Sequence, residues 1–337
     1  MTKTILFRAD GNATTGLGHL YRLFSLVEMV KDHFDFVFLT KEESTLEVIP
    51  KDYQVSKIPE HLSIEKEPDW INTHFPAQSY SIIADGYHFD SVYQEAIKQY
   101  GFNLIYIDDL ANEKMYADIV INHSPYLKTS DYHKQSYTQL ALGTSYALLR
   151  PAFLKAAQHE RKVNSIDTAF VCFGGADPFN LTIKAVKALL ALEDIKHIHV
   201  VLGGAYKHHG LLELTEKHSN VLTIHRNLSE QELVTIMQLS QIAIAPASTI
   251  LYELCCINMP IFSGFYVDNQ ELIYKGFLGR GAIYNGGNMK DYSQSDFEFR
   301  IKHILGKNNH DVIMKSQSML FDDRIKARHI DLIKQIC

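Results

Sequence analysis

The chain has 337 residues, 46% hydrophobic and 21% charged, with a formal net charge of −6. That length accommodates two domains with a core each, and the composition is that of a globular protein rather than a fibrous or disordered one. The negative balance gives no bulk attraction for nucleic acid or anionic membranes, no apolar run is long enough to span a bilayer, and four scattered cysteines form neither a disulfide framework nor a C-x-x-C motif. We expect a reducing, cytoplasmic setting and no signal peptide, because the N-terminus runs straight into a strand.

Residues 5–7 are a short apolar run that ends in Arg8 and Asp10, and residues 11–15 have loop chemistry. Leu20, Leu23, Val27 and Val30 then recur at helical spacing. The stretch therefore reads strand, polar loop, helix, with Gly16-Leu17-Gly18-His19 at the helix entrance. A helix N-terminus carries unpaired N–H groups and a positive dipole end, and a glycine such as Gly18 lets an anion approach them. His19 falls beyond the carboxyl end of a first strand, where open α/β sheets bind ligands. The motif is not a dinucleotide fingerprint, because the third glycine would fall at Tyr21, and no P-loop occurs in the chain. A tight turn with a surface histidine is the plain reading of Gly-x-Gly-His. Arg8, Asp10 and His19 together favour a substrate crevice.

Residues 34–39 read as a second strand and 45–49 as a short helix. Residues 81–85 are a buried strand ending in Asp85, followed by Gly86-Tyr87-His88-Phe89-Asp90 and a helical pattern over 92–100. Strands at 104–107, ending in Asp108 and Asp109, and at 118–121 continue an alternation that implies a parallel sheet. An aspartate at a strand end either caps the next helix or lines a polar crevice, and Asp90 and Asp109 are open to both readings. Polar residues 154–166 read as a linker, which divides the chain into domains 1–155 and 156–337.

The second domain repeats the layout. A strand at 169–173 leads into the turn Gly174-Gly175-Ala176-Asp177-Pro178-Phe179-Asn180 and a helix from Leu181. Strands at 198–202, 221–224, 242–245 and 260–262 follow, with a capping box at Ser229 and Glu232 and a helical C-terminal stretch. Ser248-Thr249 at a helix start is an N-cap by default, and the same hydroxyls and N–H groups suit a diphosphate. Glu253, four residues after Thr249, lies on the same helix face and can accept two hydrogen bonds from a ribose diol. Seventeen histidines invite a metal reading, but there is no H-E-x-x-H, and His208-His209 cannot share a helix face. Cys255-Cys256 reads as packing.

In their order and spacing these motifs resemble the UDP-sugar hydrolase family of pseudaminic acid biosynthesis, over roughly residues 4–280. Arg8-Ala9-Asp10 with Gly16-Leu17-Gly18-His19 and Arg22 is similar to its opening motif, and Asp85-Gly86-Tyr87 to an Asp-Ser-Tyr. Asp108-Asp109, Asp118 and Asn122 match its next block, and residues 146–153 its domain junction. Gly174-Gly175-Ala176-Asp177-Pro178, Ser248-Thr249 with Glu253, and Asn269-Gln270 match its second-domain motifs. There are two departures: Pro246-Ala247 stands where the family usually has two glycines, which narrows the approach to a diphosphate, and Gly86 stands where it has a serine.

The resemblance implies an α/β protein of two Rossmann-like domains facing across a cleft, the GT-B fold, with a last helix that packs back on the first domain. It implies release of UDP from UDP-2,4-diacetamido-2,4,6-trideoxy-β-L-altropyranose by water, with His19 as general base and no cofactor or metal. Helix N-termini with Ser248 and Thr249 would stabilise the diphosphate, Glu253 would hold the ribose, and Leu228 with Arg226 and Asn227 would meet the uracil. Asp10, Tyr87, Asp177, Asn269 and Gln270 would line the sugar, and Arg8, Gly18, Gly174 and Gly175 would be further substrate-binding residues. Two other readings stand beside it: a GT-B glycosyltransferase using a UDP-sugar donor, and a nucleotide-sugar-binding protein without turnover.

Overall fold

Apolar runs of three to five residues become strands buried on both faces, as parallel sheets require. In the computed structural model, which describes residues 3–12 and 16–337, they build two parallel sheets. Positions 13–15 of the loop expected at 11–15 lie outside the described residues. The chain divides into two compact units, one running to Pro151 and taking in Arg324–Cys337, the other Ala152–Asp323.

The first unit contains β1 (Thr4–Ala9), β2 (Phe36–Lys41), β3 (Val55–Ile58), β4 (Tyr80–Asp85), β5 (Leu104–Ile107), β6 (Lys114–Met115), β7 (Ile119–Asn122), β8 (His133–Lys134) and β9 (Gln139–Leu142). Its main sheet has the order β3-β2-β1-β4-β5-β7-β9, and β6 and β8 pair separately. Leu6, Ile82, Leu104 and Val120 form the centre of one core face, under Phe89 and Ile97. The helix Gly18–Val30 follows β1, and the C-terminal helix Ile325–Lys334 packs against it. Ser81 Oγ and Asn103 Nδ2 both donate to the Ile336 carbonyl, at 2.6 and 2.7 Å, which ties the end of the chain to this sheet.

The second unit contains β10 (Thr168–Val171), β11 (His197–Leu202), β12 (Leu222–Arg226), β13 (Ile242–Pro246), β14 (Ile261–Phe265) and β15 (Tyr284–Asn288), in the order β12-β11-β10-β13-β14-β15. Val171, Val200, Ile244 and Phe262 pack with Leu181, Ala185 and Leu189 of the helix Leu181–Leu190. In both sheets the strand order reverses beside the first strand, between β1 and β4 and between β10 and β13. Loops leaving the carboxyl ends of such strands diverge and open a crevice.

Several elements differ from the sequence reading. The helix expected at 45–49 is a single 3-10 turn, Leu46–Val48. The stretch at 154–166 begins inside a short helix, Pro151–Ala156. The helix Glu67–His74 was not anticipated, although Pro68 in its first turn fits a helix start. β15, Tyr-Asn-Gly-Gly-Asn, reads as a turn by composition. It is held as a strand by parallel pairing to β14, with an irregularity at Ser263/Gly264.

Candidate functional site

The crevice of the first unit is built where β1 and β4 end. Ala9 pairs with Asp85, so Asp10 leaves one strand beside the residues that follow the other. His19 and Arg22 sit three apart in the first turns of the helix Gly18–Val30 and share a face. His19 Nδ1 lies 2.8 Å from Asp85 Oδ1. Arg22 grips the same carboxylate with Nε at 2.7 Å and Nη2 at 2.5 Å, and its Nη1 donates to Asp109. Tyr87 donates to the other Asp109 oxygen at 3.1 Å, and its ring meets that of His19 edge to face at 4.7 Å.

Asp85 is fully buried, and His19 keeps 18% of its side chain exposed. Burial pushes the Asp85 carboxyl up, but Arg22 and His19 outweigh it and hold it at about 2. Burial likewise raises Asp109, and the Arg22 charge brings it below its usual value. A carboxylate at Nδ1 requires the proton on that nitrogen, so the neutral ring presents a lone pair at Nε2. This is the base-and-orienter arrangement of a general-base histidine.

Arg8 lies beneath the crevice rather than in it. It is fully buried, forked to Glu67 through Nε at 2.7 Å and Nη2 at 2.9 Å, with its guanidinium 5.0 Å from the Phe89 ring centre. Tyr93 donates to the same Glu67 at 2.8 Å. Arg8 Nη1 donates to Asp10 Oδ1, which also accepts from Lys41 N at 2.8 Å and Thr40 Oγ1 at 3.1 Å. Burial raises the Asp10 carboxyl, but Arg8 and these donors hold it far below the usual carboxylate range. Its Oδ2 faces His88 Nε2 at 3.3 Å. Arg8 therefore positions Asp10. Asp108 is also structural: it accepts from Leu110 N, Ala111 N, Asn122 Nδ2 and Tyr132 OH.

In the second unit every candidate follows the carboxyl end of a strand. After β10, Gly174 has φ +78°, and the backbone of Gly174 and Gly175 lies so close to Gly203 that a Cβ at 203 would fall 2.4 Å from Gly175 Cα. Asp177 is buried, and its carboxylate accepts from Leu181 N and Thr182 N, both at 2.8 Å. It caps the start of the helix from the preceding turn, and each of its carboxylate oxygens accepts one of these backbone N–H groups. Ser248 stands at the N-cap of the helix Thr249–Ile257, but its side chain makes no cap bond and the first turn has no acid. That helix start keeps its anion-binding equipment. Pro246, the last residue of β13, and Ala247 just before this helix start are both buried.

Glu253 is buried on the same helix, and the Cys172 thiol, pushed to about 11 chiefly by burial, also feels the Glu253 charge. Leu228 is half-buried between Asn227, at φ +52°, and the Ser229 capping box. Gln270 Oε1 accepts from Tyr266 N at 3.1 Å, while Asn269 beside it is exposed. A hollow of about 640 Å³ also lies in this unit, at the amino ends of β10 and β11, with Asp167, Glu193, Lys196 and Lys307 among its lining. It mixes charges of both signs and faces away from the carboxyl ends.

Sequence reasoning singled out His19, Asp10 and Arg8 but not the pairings that hold them in place. Asp85 and Asp109 were visible as acids at strand ends, and Arg22 as part of a motif. Glu67 and His88 carried no signal, since Glu67 lies 59 positions from Arg8 in a stretch without a motif. Among the described residues no cluster of three or more His, Cys, Asp or Glu is placed to hold a metal. No described helix is long and apolar enough to cross a membrane.

No family model matches the chain. It is 25% identical over 319 residues to the uncharacterised protein MJ1062 of Methanocaldococcus jannaschii, covering 90% of this chain but only 64% of that protein's length. It is 26% identical over 289 residues to the spore coat polysaccharide biosynthesis protein SpsG of Bacillus subtilis, covering 83% of this chain and 82% of that one. Among solved structures, Acinetobacter baumannii MurG aligns with a TM-score of 0.65 at 12% identity over 99% of both chains. Arabidopsis thaliana UGT89C1, solved with UDP-L-rhamnose, aligns at 0.68 with 10% identity over all of both chains. The spinosyn rhamnosyltransferase SpnG, solved with thymidine diphosphate, aligns at 0.64 with 11% identity over 99% of both. At these identities the likeness concerns the fold: an α/β chain of two Rossmann-like domains of the GT-B type.

Proposed function

We propose that this chain is a nucleotide-sugar enzyme that hydrolyses a UDP-linked diacetamido-trideoxyhexose to free sugar and UDP. The observation that carries the reading is the His19–Asp85 pair, 2.8 Å from Nδ1 to Oδ1, which favours the tautomer that leaves Nε2 as acceptor. Water attacks the anomeric carbon while His19 Nε2 takes its proton, and the bond to the diphosphate oxygen breaks with its electron pair leaving on UDP. The imidazolium then returns its proton to solvent. A diphosphate needs no strong acid to leave, so stabilisation of its charge by a helix N-terminus suffices.

The open helix start at Ser248-Thr249 supports binding of the diphosphate there, and the buried Glu253 one turn on supports a ribose contact. The polysaccharide role in the name of SpsG, and the diphosphate ligands in two of the structural neighbours, support a nucleotide-sugar substrate. The naming of SpnG as a rhamnosyltransferase favours a second reading, in which the same base deprotonates an alcohol acceptor. UDP release with and without an added acceptor separates the two.

His19→Asn tests the reading. The variant should keep the fold and its affinity for UDP and lose about 10²–10⁴-fold in kcat. Near-normal kcat with a raised KM would make His19 a binding group.

A further inference from the structure

The first unit's crevice holds a second histidine paired to a carboxylate, and nothing above gives it a role. His88 Nε2 lies 3.3 Å from Asp10 Oδ2, and 41% of the His88 side chain is exposed. Asp10 is fixed from below by Arg8, Lys41 N and Thr40, so its free oxygen has one direction to face. The ring of His88 packs on the buried Phe89 ring at 4.0 Å between centres. A Cβ at Gly86 would fall 2.8 Å from His88 Cε1 and 3.2 Å from its Nδ1. The absence of a side chain at 86 is what makes room for the imidazole there.

We propose that His88 is a sugar-contacting residue of this crevice, its Nδ1 accepting a hydrogen bond from an N–H or O–H donor on the sugar ring. The chemistry follows from the Asp10 contact. Asp10 is held ionised and acts only as an acceptor, so it takes the Nε2 proton. The neutral ring then keeps its lone pair on Nδ1, the reverse of His19, whose proton is on Nδ1. One crevice thus presents two imidazole acceptors oriented by two carboxylates, one for the attacking water and one for the substrate. The donor on the sugar is an acetamido N–H or a hydroxyl, and both present the same hydrogen to Nδ1.

This inference rests on the nucleotide-sugar reading but not on hydrolysis, so binding in a turnover-deficient background tests it separately. Calorimetry on His19→Asn, with and without His88→Phe, would use four probes: UDP, UDP-glucose, UDP-N-acetylglucosamine and the UDP-linked diacetamido sugar. Phenylalanine keeps the ring and removes both nitrogens at an exposed position, so the fold should persist. The expected result is unchanged affinity for UDP and about 5–30-fold weaker binding of at least one sugar conjugate, the range of a single lost hydrogen bond. A loss confined to the acetamido conjugates identifies the amide, and a loss that includes UDP-glucose identifies a hydroxyl. Gly86→Ala, whose Cβ would fall 2.8 Å from His88 Cε1 and 3.1 Å from Phe89 Cε2, must displace the ring and should give the same pattern among the conjugates. Equal losses for UDP and its conjugates would overturn the proposal, as would no loss for any conjugate or conjugates that bind no better than UDP before His88 is changed. Failure of the hydrolysis reading shows separately, as absence of turnover in the chain with His19 intact.

Discussion

Asp85 decides which nitrogen of His19 is free, and Arg22 decides that Asp85 stays ionised. Removing the orienter should therefore cost catalysis rather than binding. Asp85→Asn is expected to lower kcat by about 10²-fold or more, as loss of the right tautomer does in histidine-based sites, with UDP affinity unchanged in calorimetry. A normal kcat would detach Asp85 from the chemistry. Sequence reasoning reached His19 because a histidine at a helix entrance after a strand is a local pattern. It did not reach the pairing, because Asp85 is 66 positions away. Asp90 and Asp109 look alike in sequence and have different roles. Asp90 accepts from Tyr93 N at 2.9 Å as the cap of the helix Ser91–Gln99. Asp109 precedes a turn rather than a helix, which leaves it for Arg22 and Tyr87.

At the scale of elements, two helix starts in the second unit behave oppositely. The helix Leu181–Leu190 is capped internally by Asp177, and the helix Thr249–Ile257 has no side-chain cap. Asp177→Ala should lower stability by about 1–2 kcal/mol, seen as a drop in the denaturation midpoint. Ser248→Ala should leave that midpoint nearly unchanged and weaken UDP binding. Reversed results would exchange the roles of the two starts. Both sites read as glycine or serine before a helix, and only the carboxylate geometry separates them.

Two buried histidines, His329 on the C-terminal helix and His123 just after β7, carry a second effect. Burial lowers His329 from 6.5 to about 4, and burial together with the Arg22 charge lowers His123 from 6.5 to about 3. Their folded values lie below their unfolded ones, so between about pH 6.5 and 4 the unfolded chain binds more protons and stability rises with pH. Urea midpoints should fall as pH drops through that window, each histidine contributing up to ~1.4 kcal/mol per pH unit. His329→Phe should flatten the decline, and an unaltered slope would remove the buried imidazole as its source.

At the scale of the molecule, the alternation of strands and helices was legible because strands buried on both faces leave uninterrupted apolar runs. β3, Val-Ser-Lys-Ile, was not, because an edge strand with polar residues takes its conformation from its neighbour. The GT-B fold followed from motif order, and the tie between Ile336 and β4 depends on contacts 255 positions apart, which no local pattern reports. If N–H groups and hydroxyls stabilise the leaving diphosphate, as proposed, activity should survive prolonged treatment with EDTA. Loss of the rate with EDTA, and its return with Mg²⁺, would assign that task to a cation.

In the proposed reaction, water activated by His19 displaces UDP. The most direct test is a single-turnover reaction in heavy-oxygen water, with the chain in excess over the UDP-linked diacetamido sugar and no acceptor present. The account predicts that free sugar and UDP appear together at one rate, that the heavy oxygen enters the sugar rather than UDP, and that His19→Asn abolishes both. UDP release that begins only when an alcohol acceptor is added would contradict it, as would heavy oxygen recovered in the diphosphate.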